Sequence, residues 1–385
     1  MKVLFGGGGT GGHVYPALSV ADELAKRDGD FAALFVGTRA GLEADVVPQT
    51  GYDIRFISSR GVRGKGIAGR MTTLVSISIG FFQALKIVTA FGPDVVFGAG
   101  GYASAAVVLA ASALRRTIVL QEQNSIPGLT NRLLASRAKR VYLGFERARS
   151  FMGSHPGVMI TGNPLRGAIL EPCTVDLEKE FGLERGKPVL LVFGGSQGAR
   201  SLNKAAVDYL ISRENVQGII QTGKTDYERV KAGLGRARGR MYVSPYISNI
   251  HQAYHAADVA LARAGALSVS ELAAVGLPAV LVPYPYAADD HQVYNAEVLV
   301  EAGGSVMLED SALGTDRLAA ELDALLGDRA RLSAMRASLL GIARRDAAGE
   351  IARDILALCG KGGGDGGHVP ADRDEVPVER KNVDG

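Results

Sequence analysis

A histidine closes a glycine-rich turn near the start of this chain, where Val3-Leu-Phe5 runs into Gly6-Gly-Gly-Gly-Thr10-Gly11-Gly12-His13. Glycines let a backbone pass close to a ligand, and the N–H groups opening the next helix attract anions. His13 stands where that helix should begin, with Pro16 in its first turn. A helix N-terminus disfavours a second positive charge, and a neutral imidazole can accept a proton from a hydroxyl. General base or substrate contact is one reading of His13; a side chain that merely closes the turn is the other.

The same strand-turn-helix signature recurs at Pro188-Val-Leu-Leu-Val-Phe-Gly-Gly-Ser196-Gln197-Gly-Ala199. Neither turn has the spacing of the dinucleotide fingerprint, although Glu43 sits in the region where that fold carries a ribose-binding acid. Neither ends in Gly-Lys-Ser/Thr, which argues against ATP hydrolysis.

Four further polar segments follow apolar strands. Gln121-Glu-Gln-Asn124-Ser-Ile-Pro-Gly128 offers amides suited to sugar hydroxyls, or else is a polar loop with a Pro-Gly turn. Gly98-Ala-Gly-Gly-Tyr102-Ala103 permits a close backbone approach, with Tyr102 as a candidate contact. In Arg263-Ala-Gly-Ala266-Leu267-Ser-Val-Ser-Glu271 the carboxylate suits a ribose, while Ser268-x-x-Glu271 also matches a capping box; both readings stay open. In Pro283 to Asn295, Gln292 and Asn295 share a helical face and are expected to point into one pocket. His251, His255 and His291 form no metal triad, and Asp289-Asp290 is a weak divalent site, so no structural metal is expected.

These segments need strands to position them. Apolar runs at 2–5, 32–36, 53–57, 94–97, 117–120 and 140–143, then at 188–193, 216–221, 240–243, 257–261, 278–282 and 305–308, alternate with helix-length stretches. The expected fold class is α/β: two Rossmann-like domains with parallel sheets facing each other across a cleft. The expected boundaries are 1–164, 165–340, a helical segment 341–360 that packs back on the first domain, and a disordered, glycine-rich and charged tail at 361–385. The helical stretch is expected to run from Arg331 to Leu358.

With 385 residues, the chain is long for one core and comfortable for two. Cys173 and Cys359 have neither metal-ligand nor disulfide spacing, so a reducing compartment is expected. The first strand begins at Lys2, which argues against a cleavable export signal. Met71 to Val88 is apolar-rich but interrupted by polar residues, so it is expected as a buried or interfacial helix, not a span. The net charge of +3 hides an acidic tail: residues 365–385 hold six acids and three bases, leaving +6 on the remainder. From Ile54 to Pro93, Arg55, Arg60, Arg63, Lys65, Arg70 and Lys86 meet no acid, which suits an anionic surface or substrate.

Taken together, Gly8-Gly-Thr-Gly-Gly-His13, Gln121-Glu-Gln-Asn124 with Pro127-Gly128, Gly162-Asn-Pro-Leu-Arg166, Gly194-Gly-Ser-Gln-Gly-Ala199 and Arg263-Ala-Gly-Ala266 through Glu271 are specific. From residue 1 to about 358 the chain resembles the family 28 N-acetylglucosaminyltransferases of bacterial cell-wall synthesis, which have the GT-B fold. The resemblance implies inverting transfer of N-acetylglucosamine from UDP-GlcNAc to the C4 hydroxyl of the muramoyl sugar on lipid I, giving lipid II and UDP. It places the acceptor on domain one and the donor on domain two.

Carried over by position, His13 is similar to the family's candidate base, and Tyr102 and Asn124 fall beside the acceptor. Thr10, Gly11, Gly12, Arg166, Ser196, Gln197, Arg263, Ala266 and Leu267 fall around the donor. Glu271 resembles the ribose-binding carboxylate, which favours that reading over the capping box. Ile247 matches a backbone position that reads the uracil edge, and Gln292 one that contacts the donor sugar. His291 departs from the family, standing where a second glutamine is usual. No tightly bound cofactor is implied, with a divalent cation at most stimulatory.

The implied partners are UDP-GlcNAc, lipid I, an anionic membrane surface and other cell-wall synthesis proteins, with no nucleic acid. Peripheral attachment at the cytoplasmic face of the membrane is expected through Arg60, Arg63, Lys65 and Arg70 with Leu74, Ile77, Phe81, Phe82 and Leu85. A buried helix beneath a solvated basic loop is the competing reading. Functional alternatives are another GT-B sugar-nucleotide transferase, a UDP-GlcNAc 2-epimerase, or a two-domain sugar-binding protein without turnover.

Overall fold

Apolar residues on both faces of each short strand require cover on both sides, and helices supply it in both halves of the molecule. The computed structural model describes residues 1–59, 67–195, 198–237, 239–314 and 316–361, with the side chains of 67–77 left out. The first sheet has seven parallel strands in the order β3-β2-β1-β4-β5-β6-β7. They are β1 Lys2–Gly6, β2 Ala32–Gly37, β3 Asp53–Phe56, β4 Val95–Gly98, β5 Thr117–Glu122, β6 Arg140–Leu143 and β7 Val158–Ile160. The second has six in the order β10-β9-β8-β11-β12-β13. These are β8 Val189–Phe193, β9 Gln217–Gln221, β10 Met241–Ser244, β11 Val259–Ala262, β12 Ala279–Leu281 and β13 Ser305–Met307.

Register aligns the apolar centres, with Leu4 beside Leu34 and Val96 in one sheet and Leu191 beside Ile219 and Ala260 in the other. Strand order reverses between β1 and β4, and again between β8 and β11. Crevices at such switch points, outside the carboxyl ends of the strands, are where open α/β sheets bind ligands.

The expected strands are all present, with ends shifted by no more than two residues. Sequence periodicity missed β7, because three apolar residues between Gly157 and Thr161 are too short a run to register.

The expected helical stretch from Arg331 to Leu358 is divided between two helices. Arg329–Ile342 buries Met335 and Leu339 against domain two. The backbone turns extended at Ala343, and Ala347–Leu358 buries Ile351, Ala352, Ile355 and Leu356 in the domain-one core with Val14, Val20 and Leu24. Asp354 anchors this returning helix by accepting from Tyr142 Oη at 2.8 Å and pairing with Arg140 at 3.0 Å. The tail at 362–385 lies outside the described residues.

The helix Ile67–Phe91 covers the first sheet through Ala84 and Val88 and leaves Ile79 and Phe82 exposed. Among the described residues no helix is long and apolar enough to cross a membrane.

Candidate active site between the two sheets

The carboxyl ends of both sheets open onto one cavity of about 970 Å³. Domain one lines it with Thr10–His13 and Asn124, domain two with Gly194, Ser201, Gly265–Ser268, Glu271 and Gln292, and the connection with Arg166. Three helix N-termini reach it, at Gly11–Arg27, Arg200–Ile211 and Ala266–Val275. Each presents first-turn N–H groups that have no partner within the helix, so their positive ends converge on the cavity and suit an anion there.

His13 is the third residue of its helix, and its Nδ1 lies 3.0 Å from Gly8 O. A carbonyl only accepts, so Nδ1 carries a proton, and in that tautomer Nε2 is the nitrogen with the lone pair. Gly100, at φ +94°, abuts this ring; a Cβ there would stand 3.2 Å from Nε2. Pro16 lies in the second helical turn, not the first, and its missing N–H leaves Gly12 O without the usual helical donor.

Glu43 is 2% exposed and bonds no ligand-facing group: its carboxylate accepts from Gly9 N and Thr38 N, each at 2.7 Å, and from Thr38 Oγ1 at 3.0 Å. It braces the glycine turn from beneath, which removes it as a ribose ligand.

The capping-box reading of Glu271 fails because the helix begins at Ala266, placing Ser268 third and Glu271 sixth. Glu271 instead accepts from Tyr254 Oη at 2.7 Å and Arg166 Nη2 at 3.3 Å. Burial and then the adjacent carboxylate push the Tyr254 hydroxyl well above the usual range. Burial is the largest single effect on Arg166 and works against its charge, but Glu271, Tyr254, Tyr15 and Tyr246 together outweigh it and the net shift is upward. Arg166 also stacks 4.7 Å above the Tyr15 ring, whose hydroxyl meets Tyr246 Oη across the cleft at 3.1 Å. Sequence reasoning missed Tyr15, Tyr246 and Tyr254 as site residues; no motif spacing marks them, since their partners lie in other elements.

Arg263 lines the cavity, is 7% exposed, and makes most of its bonds within the protein. It donates to Val282 O and Pro283 O at 3.1 Å and to Ser201 Oγ at 2.7 Å, and pairs with Asp310 at 2.5 Å. Those bonds brace the loops beside the cavity, as a buried guanidinium demands, while its buried Nε has no partner among the described residues. Ile247 is buried, and its N–H donates to Gln221 Oε1 at 2.9 Å, so that amide is already engaged. Gln292 lines the cavity, held by the Tyr284 amide at 3.0 Å. Asn295 departs from expectation: it is fully buried between the domains and does not line the cavity.

Buried Glu122 shapes the loop after β5, accepting from Asn124 N at 2.9 Å, Gly128 N at 3.0 Å and Asn131 Nδ2 at 2.9 Å. Tyr102 is exposed at the start of the helix Gly101–Ala113 and does not line the cavity. Asn163 Nδ2 joins the two halves, donating to Gln123 O and Ser270 Oγ at 3.0 Å each.

Ser196, Gln197, Arg60, Arg63 and Lys65 lie outside the described residues, as do the side chains of Arg70, Leu74 and Ile77. Of the remaining apolar residues expected at a membrane, Phe82 is exposed, whereas Phe81 and Leu85 pack partly against the domain-one core. Among the described residues no group of three or more His, Cys, Asp or Glu is arranged to hold a metal.

Two halves with this layout recur among known proteins. Residues 3–143 match the glycosyltransferase family 28 N-terminal domain, and residues 189–351 match its C-terminal domain. The chain belongs to glycosyltransferase family 28. Within that family it is 42% identical over 365 residues to the UDP-N-acetylglucosamine–N-acetylmuramyl-(pentapeptide) pyrophosphoryl-undecaprenol N-acetylglucosamine transferase of Chlorobium limicola, covering 93% of this chain and 99% of that one. The enzyme of the same name from Geobacter sulfurreducens is 39% identical over 361 residues, covering 93% and 98%. The crystal structure of Acinetobacter baumannii MurG superposes with a TM-score of 0.72 at 30% identity, covering 92% of this chain and 99% of that one. A UDP-GlcNAc 2-epimerase from Neisseria meningitidis has a TM-score of 0.66 at 13% identity, covering 93% and 100%. That likeness is one of fold alone. This family 28 glycosyltransferase thus carries the GT-B architecture, with its cavity between the two domains.

Proposed function

We propose that this family 28 enzyme transfers N-acetylglucosamine from UDP-GlcNAc to the C4 hydroxyl of the muramoyl sugar on lipid I, with inversion. The observation that carries the reading is the shared cavity: His13, with the lone pair on Nε2, comes from one domain, and Arg166, Glu271 and two helix N-termini surround the space from the connection and the other domain. Identity near 40% over almost the full length of the transferases named above supports it over the epimerase alternative.

In this reading Glu271 takes the ribose hydroxyls, and Arg166 with the helix ends at Ala266 and Arg200 takes the diphosphate. Gln292 contacts the donor sugar, and Asn124 and Tyr102 approach the acceptor. The acceptor C4 oxygen forms a bond to the anomeric carbon as the bond from that carbon to the UDP oxygen breaks. The hydroxyl proton passes to His13 Nε2, and the negative charge left on UDP is met by Arg166 and the helix dipoles. No tightly bound cofactor is assigned, and a divalent cation has at most a stimulating role. Domain one carries the enzyme to the cytoplasmic membrane surface through the basic segment near residue 60 and exposed Phe82.

The test follows label from radiolabelled UDP-GlcNAc with and without a lipid I analogue. Label entering lipid only when acceptor is present is the expected result. UDP release or sugar isomerisation without acceptor would overturn the reading.

A further inference from the structure

We infer that Asn295 is a positioning residue that sets the donor-sugar site and the acceptor loop in register across the cleft. It lies one helical turn after Gln292 on the helix His291–Glu301 and is fully buried. Its Oδ1 accepts from Ser125 N at 2.9 Å, and its Nδ2 donates to Asn124 Oδ1 at 3.3 Å and Ala264 O at 3.2 Å. The amide orientation is determined by its partners, because a backbone N–H only donates and a carbonyl only accepts.

One side chain therefore joins its own helix to two loops. Asn124 and Ser125 follow β5 of domain one, and Ala264 follows β11 and leads into the helix that carries Glu271. Asn124 is held at its other end as well, since its Nδ2 donates to buried Glu122 at 3.2 Å. A second clasp lies farther along the same helix. Arg147 of domain one pairs with Glu297, and its guanidinium stacks 4.9 Å above the Tyr294 ring. The helix presenting Gln292 to the cavity thus packs in domain two but is fastened to domain one. A displacement of one domain against the other must either break the Asn295 bonds or carry Gln292 with Asn124. A buried asparagine that only stabilised its own domain would have no partner on Asn124 or Ser125.

The inference rests on Gln292 serving the donor sugar and Asn124 the acceptor. The test uses the full chain with UDP-GlcNAc and a lipid I analogue. It compares kcat, both KM values, UDP affinity by calorimetry and thermal unfolding for wild type, Asn295→Ala, Asn124→Ala and the double variant. Leaving buried partners unmade predicts that Asn295→Ala loses about tenfold to hundredfold in kcat, with UDP affinity held within about threefold because the Glu271 and Arg166 contacts remain. The double variant should be worse than the poorer single variant by no more than about threefold, because both remove one coupling.

Additive losses, a kcat within threefold of wild type, or UDP affinity falling in step with kcat would each overturn the inference. If Asn295→Ala does not fold, Asn295→Ser is judged by the same criteria. Asn295→Asp keeps an acceptor for Ser125 N but sets oxygens against Asn124 Oδ1 and Ala264 O, so it should lose at least as much kcat as the alanine variant; a near-wild-type aspartate variant would also overturn the inference. The underlying assignments are read separately, by a raised donor KM for Gln292→Ala and a raised acceptor KM for Asn124→Ala. If those fail while the double variant stays non-additive, the coupling stands and the assignments fall.

Discussion

Arg166 pairs with Glu271 at 3.3 Å, so the connection between the domains is tied directly to the carboxylate proposed to hold the donor ribose. Because Tyr254 satisfies the other carboxylate oxygen, Glu271 is already oriented before any ligand arrives. Glu271→Ala should weaken UDP binding about tenfold to a hundredfold, the loss expected for charge-assisted hydrogen bonds in a partly buried site. Glu271→Gln keeps an acceptor for Tyr254 and should fall between wild type and alanine. Calorimetric titration with UDP reads both; unchanged affinity in the alanine variant would remove Glu271 from the donor site.

His13 is predicted to act on kcat. Removing a general base costs about 10²–10⁴-fold in rate, so His13→Ala should lose that much kcat while the KM for UDP-GlcNAc stays near wild type. Steady-state kinetics against each substrate separates the outcomes, and a pure rise in acceptor KM would assign the ring to positioning instead.

Glu43 offers a test of the turn beneath the base. Glu43→Ala strands the partly buried amides of Gly9 and Thr38, which should cost about 1–3 kcal/mol in denaturant unfolding and lower kcat through a looser turn. A variant as stable and active as wild type would show that the glycine turn holds without its brace.

The contact between Tyr15 and Tyr246 should be visible by alkaline titration. Burial, then the hydrogen bond that the Tyr15 hydroxyl donates to Tyr246, pushes the Tyr15 hydroxyl up to about 12 from an ordinary value of 10. A phenol whose folded value is raised contributes stability that is fully present below pH 10 and is lost as pH rises from there through about 12. Tyrosinate absorbance of wild type minus Tyr15→Phe should therefore appear near pH 12, and a difference centred at 10 would place Tyr15 in free solvent.

The proposed membrane attachment makes a prediction about charge. Each basic residue close to an anionic surface contributes about 1 kcal/mol, so reversing Arg60, Arg63 and Lys65 to Glu should abolish sedimentation with anionic vesicles. Turnover of a water-soluble acceptor analogue should persist. Vesicle binding that survives the triple reversal would move the attachment site elsewhere.

Much of this architecture was legible in the chain. The strands betray themselves as apolar runs bounded by glycine turns, because a parallel strand covered on both faces has little room for polar residues. Thr10 through His13, Arg166 and Gln292 all reach the cavity, since residues after a strand's carboxyl end are delivered to the crevice by the topology itself. Pattern could not say which polar side chains are spent on the protein. Glu43 braces a turn, Arg263 pairs with Asp310, and Asn295 ties the domains together; each has partners distant in sequence. A buried polar group must be satisfied by whatever stands beside it. Local sequence therefore determined where the loops lie and which way they open, whereas only tertiary packing, within each domain and between the two, decided which of their side chains are left for a ligand.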